Sequence, residues 1–132
     1  PNCHDVDKYG QTLLHQAVLQ NDFSSFIDLI ALNVNIDAQD AHGDTALHLA
    51  VQSQYLNFVI YLLNAQADAN IRDFFGHTAL YYAIDKGCHD IITFMMTNSR
   101  IDDPDVIDLV KEKINEDDDG FYKKLKNQSM MF

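Results

Sequence analysis

A short motif returns twice along this chain at an interval of 33 residues. Asp7-Lys8-Tyr9-Gly10-Gln11-Thr12 is followed by Asp40-Ala41-His42-Gly43-Asp44-Thr45 and then by Asp73-Phe74-Phe75-Gly76-His77-Thr78. Behind each Thr the register holds, with Leu14-His15 and Ala17, Leu47-His48 and Ala50, then Leu80-Tyr81 and Ala83. Further on, Leu29-Ile30, Leu62-Leu63 and Met95-Met96 occupy equivalent places. A period of this size means one structural unit repeated. No single unit buries its apolar face alone, so the copies must stack.

The content of one unit follows from local chemistry. Thr12, Thr45 and Thr78 stand where a helix begins, and a Thr hydroxyl accepts from the free N–H groups there. In the middle copy Ala46, Leu47, Ala50 and Val51 recur at helical spacing and are mostly small, which suits close packing. The stretch from Leu56 to Leu63 is apolar almost all round, as a helix inside a stack should be. Asp40 with Gly43, and Asp73 with Gly76, supply the turn between units.

The period and the pattern D-x-x-G-x-T-x-L-H-x-A resemble the ankyrin repeat, and Ala67-Asp68-Ala69-Asn70 is similar to that family's closing segment. The resemblance covers roughly 7–103. It implies an all-α solenoid of helix-turn-helix units joined by β-turn or hairpin loops, with repeats at about 7–39, 40–72 and 73–103. The chain departs from the pattern in two ways. The Pro expected after each Thr is replaced by Leu13, Ala46 and Ala79, which loses preorganisation at the first helical position. The Gly expected to close each second helix is replaced by Asn33, Gln66 and Ser99. A left-handed conformation at the last two should cost roughly 1 kcal/mol each.

The ends of the stack read differently from its middle. Phe58 and Tyr61 stand where a second helix faces the preceding repeat, whereas their counterparts in the first copy are Ser25 and Asp28. Polar residues there make the first copy an N-terminal cap. After Asn98 the pattern breaks, and Asp103-Pro104 starts a new helix carrying Val106, Leu109, Val110 and Ile114. Asp117-Asp118-Asp119-Gly120 interrupts it, and Phe121, Tyr122 and Leu125 start a short final helix. Residues 104–127 are expected to form a divergent helical cap within a single domain.

Charge and motifs exclude several functions. A net charge of −11 on 132 residues disfavours nucleic acid and anionic membranes, and favours a basic protein surface as partner. No stretch of about 18 apolar residues is present to cross a membrane. Cys3 and Cys88 fit neither a disulfide framework nor a metal pattern, which points to a reducing, intracellular compartment, cytoplasmic or nuclear. The start, Pro1-Asn2-Cys3-His4-Asp5, shows no signal peptide and suggests a processed chain or an excised domain. Asn115-x-Asp117-x-Asp119-Gly120 opens like a calcium loop, but Lys126 stands where the bidentate Glu belongs, so a solvated acidic turn is expected. No phosphate-binding or nucleophile-elbow motif occurs. No catalytic residue, metal site or cofactor is expected. In the family, the His at positions 15 and 48 bonds its own Thr and the neighbouring backbone, so His15 and His48 are implied to be structural.

The resemblance also implies where a partner binds, namely the turn tips and the exposed face of the first helices. Mapped onto this chain, the expected contact residues are Tyr9 and Gln11 in the first copy and His42 and Asp44 in the second. In the third they are Phe74, Phe75, His77, Tyr82 and Lys86. Turn tips are normally polar, so Tyr9, Phe74, Phe75 and Tyr82 stand out as anchors, with His42, Asp44 and His77 setting polar specificity. The alternative for each phenylalanine is that it folds back onto the cap helix. The acidic run from Asp102 to Asp119 is a second candidate surface. The expected function is protein binding by a monomer. The rivals are a targeting domain cut from a larger enzyme or effector, and a stand-alone inhibitor or decoy. A composition rich in Ile, Asn and Phe is similar to that of ankyrin proteins from intracellular bacteria and large viruses, which act inside host cells.

Overall fold

The computed structural model describes residues 6–98, 103–117 and 119–127. Ser99, Asp102, Asp118 and the Cys3-His4 pair, all singled out above, lie outside the described residues. The elements run α1 (Leu13–Leu19), α2 (Phe23–Ala31), α3 (Ala46–Gln52), α4 (Leu56–Asn64), α5 (Ala79–Lys86), α6 (His89–Asn98), α7 (Pro104–Ile114) and α8 (Phe121–Asn127). No strand occurs among the described residues. The chain is an all-α solenoid. α1 packs on α3, α3 on α5 and α5 on α7, while α4 packs on α6.

Each inner helix starts as its Thr requires. The Thr12, Thr45 and Thr78 hydroxyls accept from the backbone N–H groups of His15, His48 and Tyr81 at 3.4, 3.3 and 3.3 Å. In the first two helices the imidazole closes the box from the other side, its Nδ1 accepting from the Thr N–H at 3.1 Å. Small residues then allow close approach. Ala46, Ala50, Ala79 and Ala83 are all buried at the contacts between α3 and α5 and their neighbours.

The outer row is joined by aromatic packing. Phe58 and Tyr61 of α4 meet Phe26 of α2 at ring-centroid distances of 4.7 and 5.8 Å, and Phe58 meets Phe23 edge-on at 5.1 Å. These two side chains therefore do face the preceding repeat. Ser25 and Asp28, at the same positions of α2, are exposed.

Turns between units rest on each motif's first Asp. The Asp40 carboxylate accepts from the N–H groups of His42 and Asp44 at 2.9 and 3.0 Å, and Asp73 does the same for Phe75 and His77 at 3.0 Å each. Successive tips are then tied together, Ala41 N–H donating to the Tyr9 carbonyl at 2.9 Å and Phe74 N–H to His42 at 3.0 Å. Gly43 has φ +80°, and a Cβ there would lie 2.6 Å from the Phe74 nitrogen, so both its conformation and its contact demand glycine.

Left-handed positions are more numerous than the motif alone implies. Asn33 and Gln66 close the second helices with φ 62° and 72°, as expected of residues taking the place of Gly. A second set sits between the two helices of each unit: Asn21, Gln54 and Gly87, with φ 54°, 63° and 69°. Nothing in the motif marks that position except Gly87.

The C-terminal segment stacks on the third unit through α7 and α8, α7 lying against α5. Asp103 caps α7, its side chain accepting from Asp105 N–H at 3.0 Å, with Pro104 at the first helical position. Val106 and Val110 are buried against α5, and Leu109 and Ile114 are partly buried. Tyr122 and Leu125 of α8 are buried as well, the Tyr122 hydroxyl donating to the Ile84 carbonyl at 3.2 Å. The run that resembles a calcium loop is a helix cap: Asp117 accepts from Tyr122 N–H and Asp119 from Phe121 N–H.

Candidate functional site

The stacked turn tips and the inner helices together present one edge of the solenoid. Phe74 and Phe75 are 72% and 71% exposed at the third tip, and Tyr9 is 55% exposed at the first. Neither phenylalanine folds back to become buried on the cap helix. The Phe74 ring instead leans along the chain over Gly43, its Cδ1 lying 2.7 Å from where a Cβ would stand. His42 is exposed beside them, and Gln11 is half-buried. Lys8 lies over the Tyr9 ring at 5.1 Å from its centroid.

The third unit stiffens this edge with aromatic contacts. His77 stacks on Tyr81 at 3.9 Å with the planes 6° apart, and Tyr82 meets His77 edge-on at 5.5 Å. Tyr81, which replaces the His of the first two copies, is thus held by a ring beside it and caps nothing with its side chain. The half-buried Tyr82 donates its hydroxyl to the Asp73 carboxylate. Burial and the adjacent Asp73 charge push the Tyr82 phenol well above its ordinary range.

Two expected contact residues are placed differently. Asp44 is only 8% exposed and turns beneath the tips, toward Asp73 of the next unit. It cannot present polar specificity at the surface, because the returning arm of the turn carries its side chain into the inter-repeat contact. Lys86 is exposed, but it stands in the last turn of α5, about 12 Å along the helix from its N-terminus. There it borders a polar hollow with Asp85, His89, Lys113, Glu116 and Asp119, apart from the aromatic tips.

The two histidines join units. His15 Nδ1 accepts from Thr12 N–H, so Nε2 carries the proton and donates to the Asp44 carbonyl at 2.8 Å. His48 repeats this toward the His77 carbonyl at 3.0 Å. Burial pushes the His48 imidazole below its ordinary value, which keeps it neutral for this role.

Around His48 lies a group of acids not visible as a site in the sequence. A ligand-type atom from each of Asp44, His48 and Asp73 lies within 4.8 Å of the others, and all three residues are buried. Oδ1 of Asp44 is buried with no hydrogen-bond partner. Burial first, then a hydrogen bond that the protonated Asp44 gives to Asp73 and the charges of Asp40 and Asp73, push the Asp44 carboxyl up to about 7. Burial also acts to raise Asp73. Hydrogen bonds from the Tyr82 hydroxyl and the His77 and Phe75 N–H groups outweigh it and hold that carboxyl below the usual range. In sequence Asp73 is legible only as a turn residue, because its partners come from separate segments.

No helix among the described residues is long and apolar enough to cross a membrane. Comparison with curated protein sequences finds no match. The model of ankyrin repeats, in 3 copies, matches residues 14–108. That match spans the three helix pairs and the start of α7, well over half of the chain, and so the chain belongs to the ankyrin-repeat family.

Proposed function

We propose that this chain recognises another protein through its tip edge, with Tyr9, Phe74 and Phe75 as apolar anchors and His42 and His77 as polar neighbours. Ankyrin repeats are generally protein–protein interaction modules and are typically not catalytic. The observation that carries the reading is the third tip. Two adjacent phenylalanines stand more than two-thirds exposed on a backbone held by Asp73 and by the preceding tip. Large rings on a rigid support lose little entropy on binding, which is the usual make-up of an interaction hot spot. A net charge of −11 favours a partner with a basic surface and speeds its approach.

The test compares the chain with a Phe74→Ala/Phe75→Ala variant as bait, after both are shown to melt at the same temperature. A protein retained by the first and lost by the second is the expected result. Equal retention would move the site away from the tips. A lowered melting temperature in the variant would show that the rings serve the fold instead.

A further inference from the structure

We propose that Asp44 and Asp73 share one proton that clasps the second hairpin to the third, and that the clasp opens when this proton leaves. The geometry begins with Oδ1 of Asp44, which is buried and without a partner in a residue only 8% exposed. A buried carboxylate oxygen left bare is costly, and more so beside a second carboxylate. Asp73 is that second carboxylate, and the two belong to different repeats.

The surroundings select the occupant. Asp44, His48 and Asp73 would offer three ligand atoms to a metal ion. His48, however, has both ring nitrogens engaged, Nδ1 by Thr45 N–H at 3.1 Å and Nε2 by the His77 carbonyl at 3.0 Å. Coordination would break the bond that joins the two units. A proton requires no third ligand. Placed between the carboxyls, it joins Asp44 to Asp73 and leaves Asp73 ionised enough to accept from Tyr82.

The groups facing the pair come from five segments. The second hairpin contributes Asp40, whose charge adds to the repulsion, and α3 contributes neutral His48 and a hydrogen bond from Gln52. The third hairpin contributes His77, α5 contributes the Tyr82 hydroxyl, and α1 holds the Asp44 carbonyl through His15. Burial and the neighbouring carboxylates push the Asp44 carboxyl up to about 7. The sign follows from its elevation. Below the ordinary carboxylate range folded and unfolded chains are both protonated, and the clasp contributes fully. Its contribution falls as pH rises from there through about 7, because the unfolded chain releases the proton without penalty. The clasp lies beneath the tips that carry His42, Phe74 and Phe75. An effect on partner affinity rests on the proposed binding face; the clasp itself does not.

The experiment is thermal unfolding of the wild-type chain and Asp44→Asn from about pH 5 to about pH 8.5, with a chelator present throughout. The amide mimics the protonated acid and has no charge to lose. Wild type should therefore lose about 4 °C or more in Tm relative to the variant across this range. A Tm difference that stays constant with pH would overturn the proposal. So would a zinc-dependent rise in wild-type Tm, absent in the variant, when zinc replaces the chelator, since that would assign the site to a metal. Carboxyl-carbon NMR of the wild-type chain decides the matter even if the variant does not fold. Titration of Asp44 near neutrality supports the clasp, and titration in the ordinary carboxylate range refutes it.

Discussion

His15 donates to the main-chain carbonyl of Asp44 across 29 residues of sequence, and His48 makes the same bond to His77. Each imidazole thus fastens the start of one helix to the turn that follows it. This makes the His of the motif an inter-repeat fastener.

Replacing His48 with Gln removes the joint and leaves the buried N–H of Thr45 and carbonyl of His77 poorly paired. A loss of about 2 kcal/mol in unfolding free energy is expected at neutral pH, measured by urea titration. Burial keeps His48 neutral in the fold and so lowers its pKa. In wild type its contribution is present above the ordinary His range and lost as pH falls below it, because the unfolded chain then takes up a proton that the fold resists. The gap between wild type and variant should therefore narrow toward pH 5. A gap that widens would show His48 to be charged in the folded chain.

Gly43 and Gly76 share a left-handed backbone but not a neighbourhood. A Cβ at Gly43 would meet the Phe74 nitrogen at 2.6 Å, whereas at Gly76 nothing lies within 4 Å. Gly43→Ala should cost about 2 kcal/mol or more, and Gly76→Ala about 1 kcal/mol, the conformational part alone. Equal losses in denaturant unfolding would mean that the tips are free to separate.

Asp103 is 2% exposed and serves three partners at once. It caps α7, accepts from the Thr78 hydroxyl at 2.7 Å and pairs with Arg72 at 2.9 Å. Arg72 is more than one-third exposed, so its share is discounted. Asp103→Ala should still cost about 2 kcal/mol through the lost cap and the orphaned hydroxyl. Amide hydrogen exchange should speed first in α7 and α8. Unchanged protection there would show that apolar packing alone holds the cap.

The fold was legible because the repeat states the same rule three times. Thr, Leu and Ala in fixed register specify a capped helix with one small-sided face, and only stacking satisfies three such faces together. The Asp103-Pro104 start and the apolar stripe behind it were legible for the same reason, since capping and periodicity act within a few residues. The exposed aromatic tips were legible too, because Phe74 and Phe75 break the polar habit of a turn. Asp44 was misplaced. Its position in the motif is an exposed one by habit, and the side chain's direction depends on what the next repeat offers.

Residue order along one unit thus dictates the local part: where helices start, where the chain turns, and that the units must stack. Which polar groups meet across units is set by how the packed repeats lie against one another. Asp44 beside Asp73, Arg72 on Asp103 and Tyr122 on Ile84 each join residues from separate turns or helices. Such contacts follow from the distance and angle between packed repeats, and burial then sets the ionisation of the groups brought together. Neither quantity is carried by the spacing of residues along a single unit.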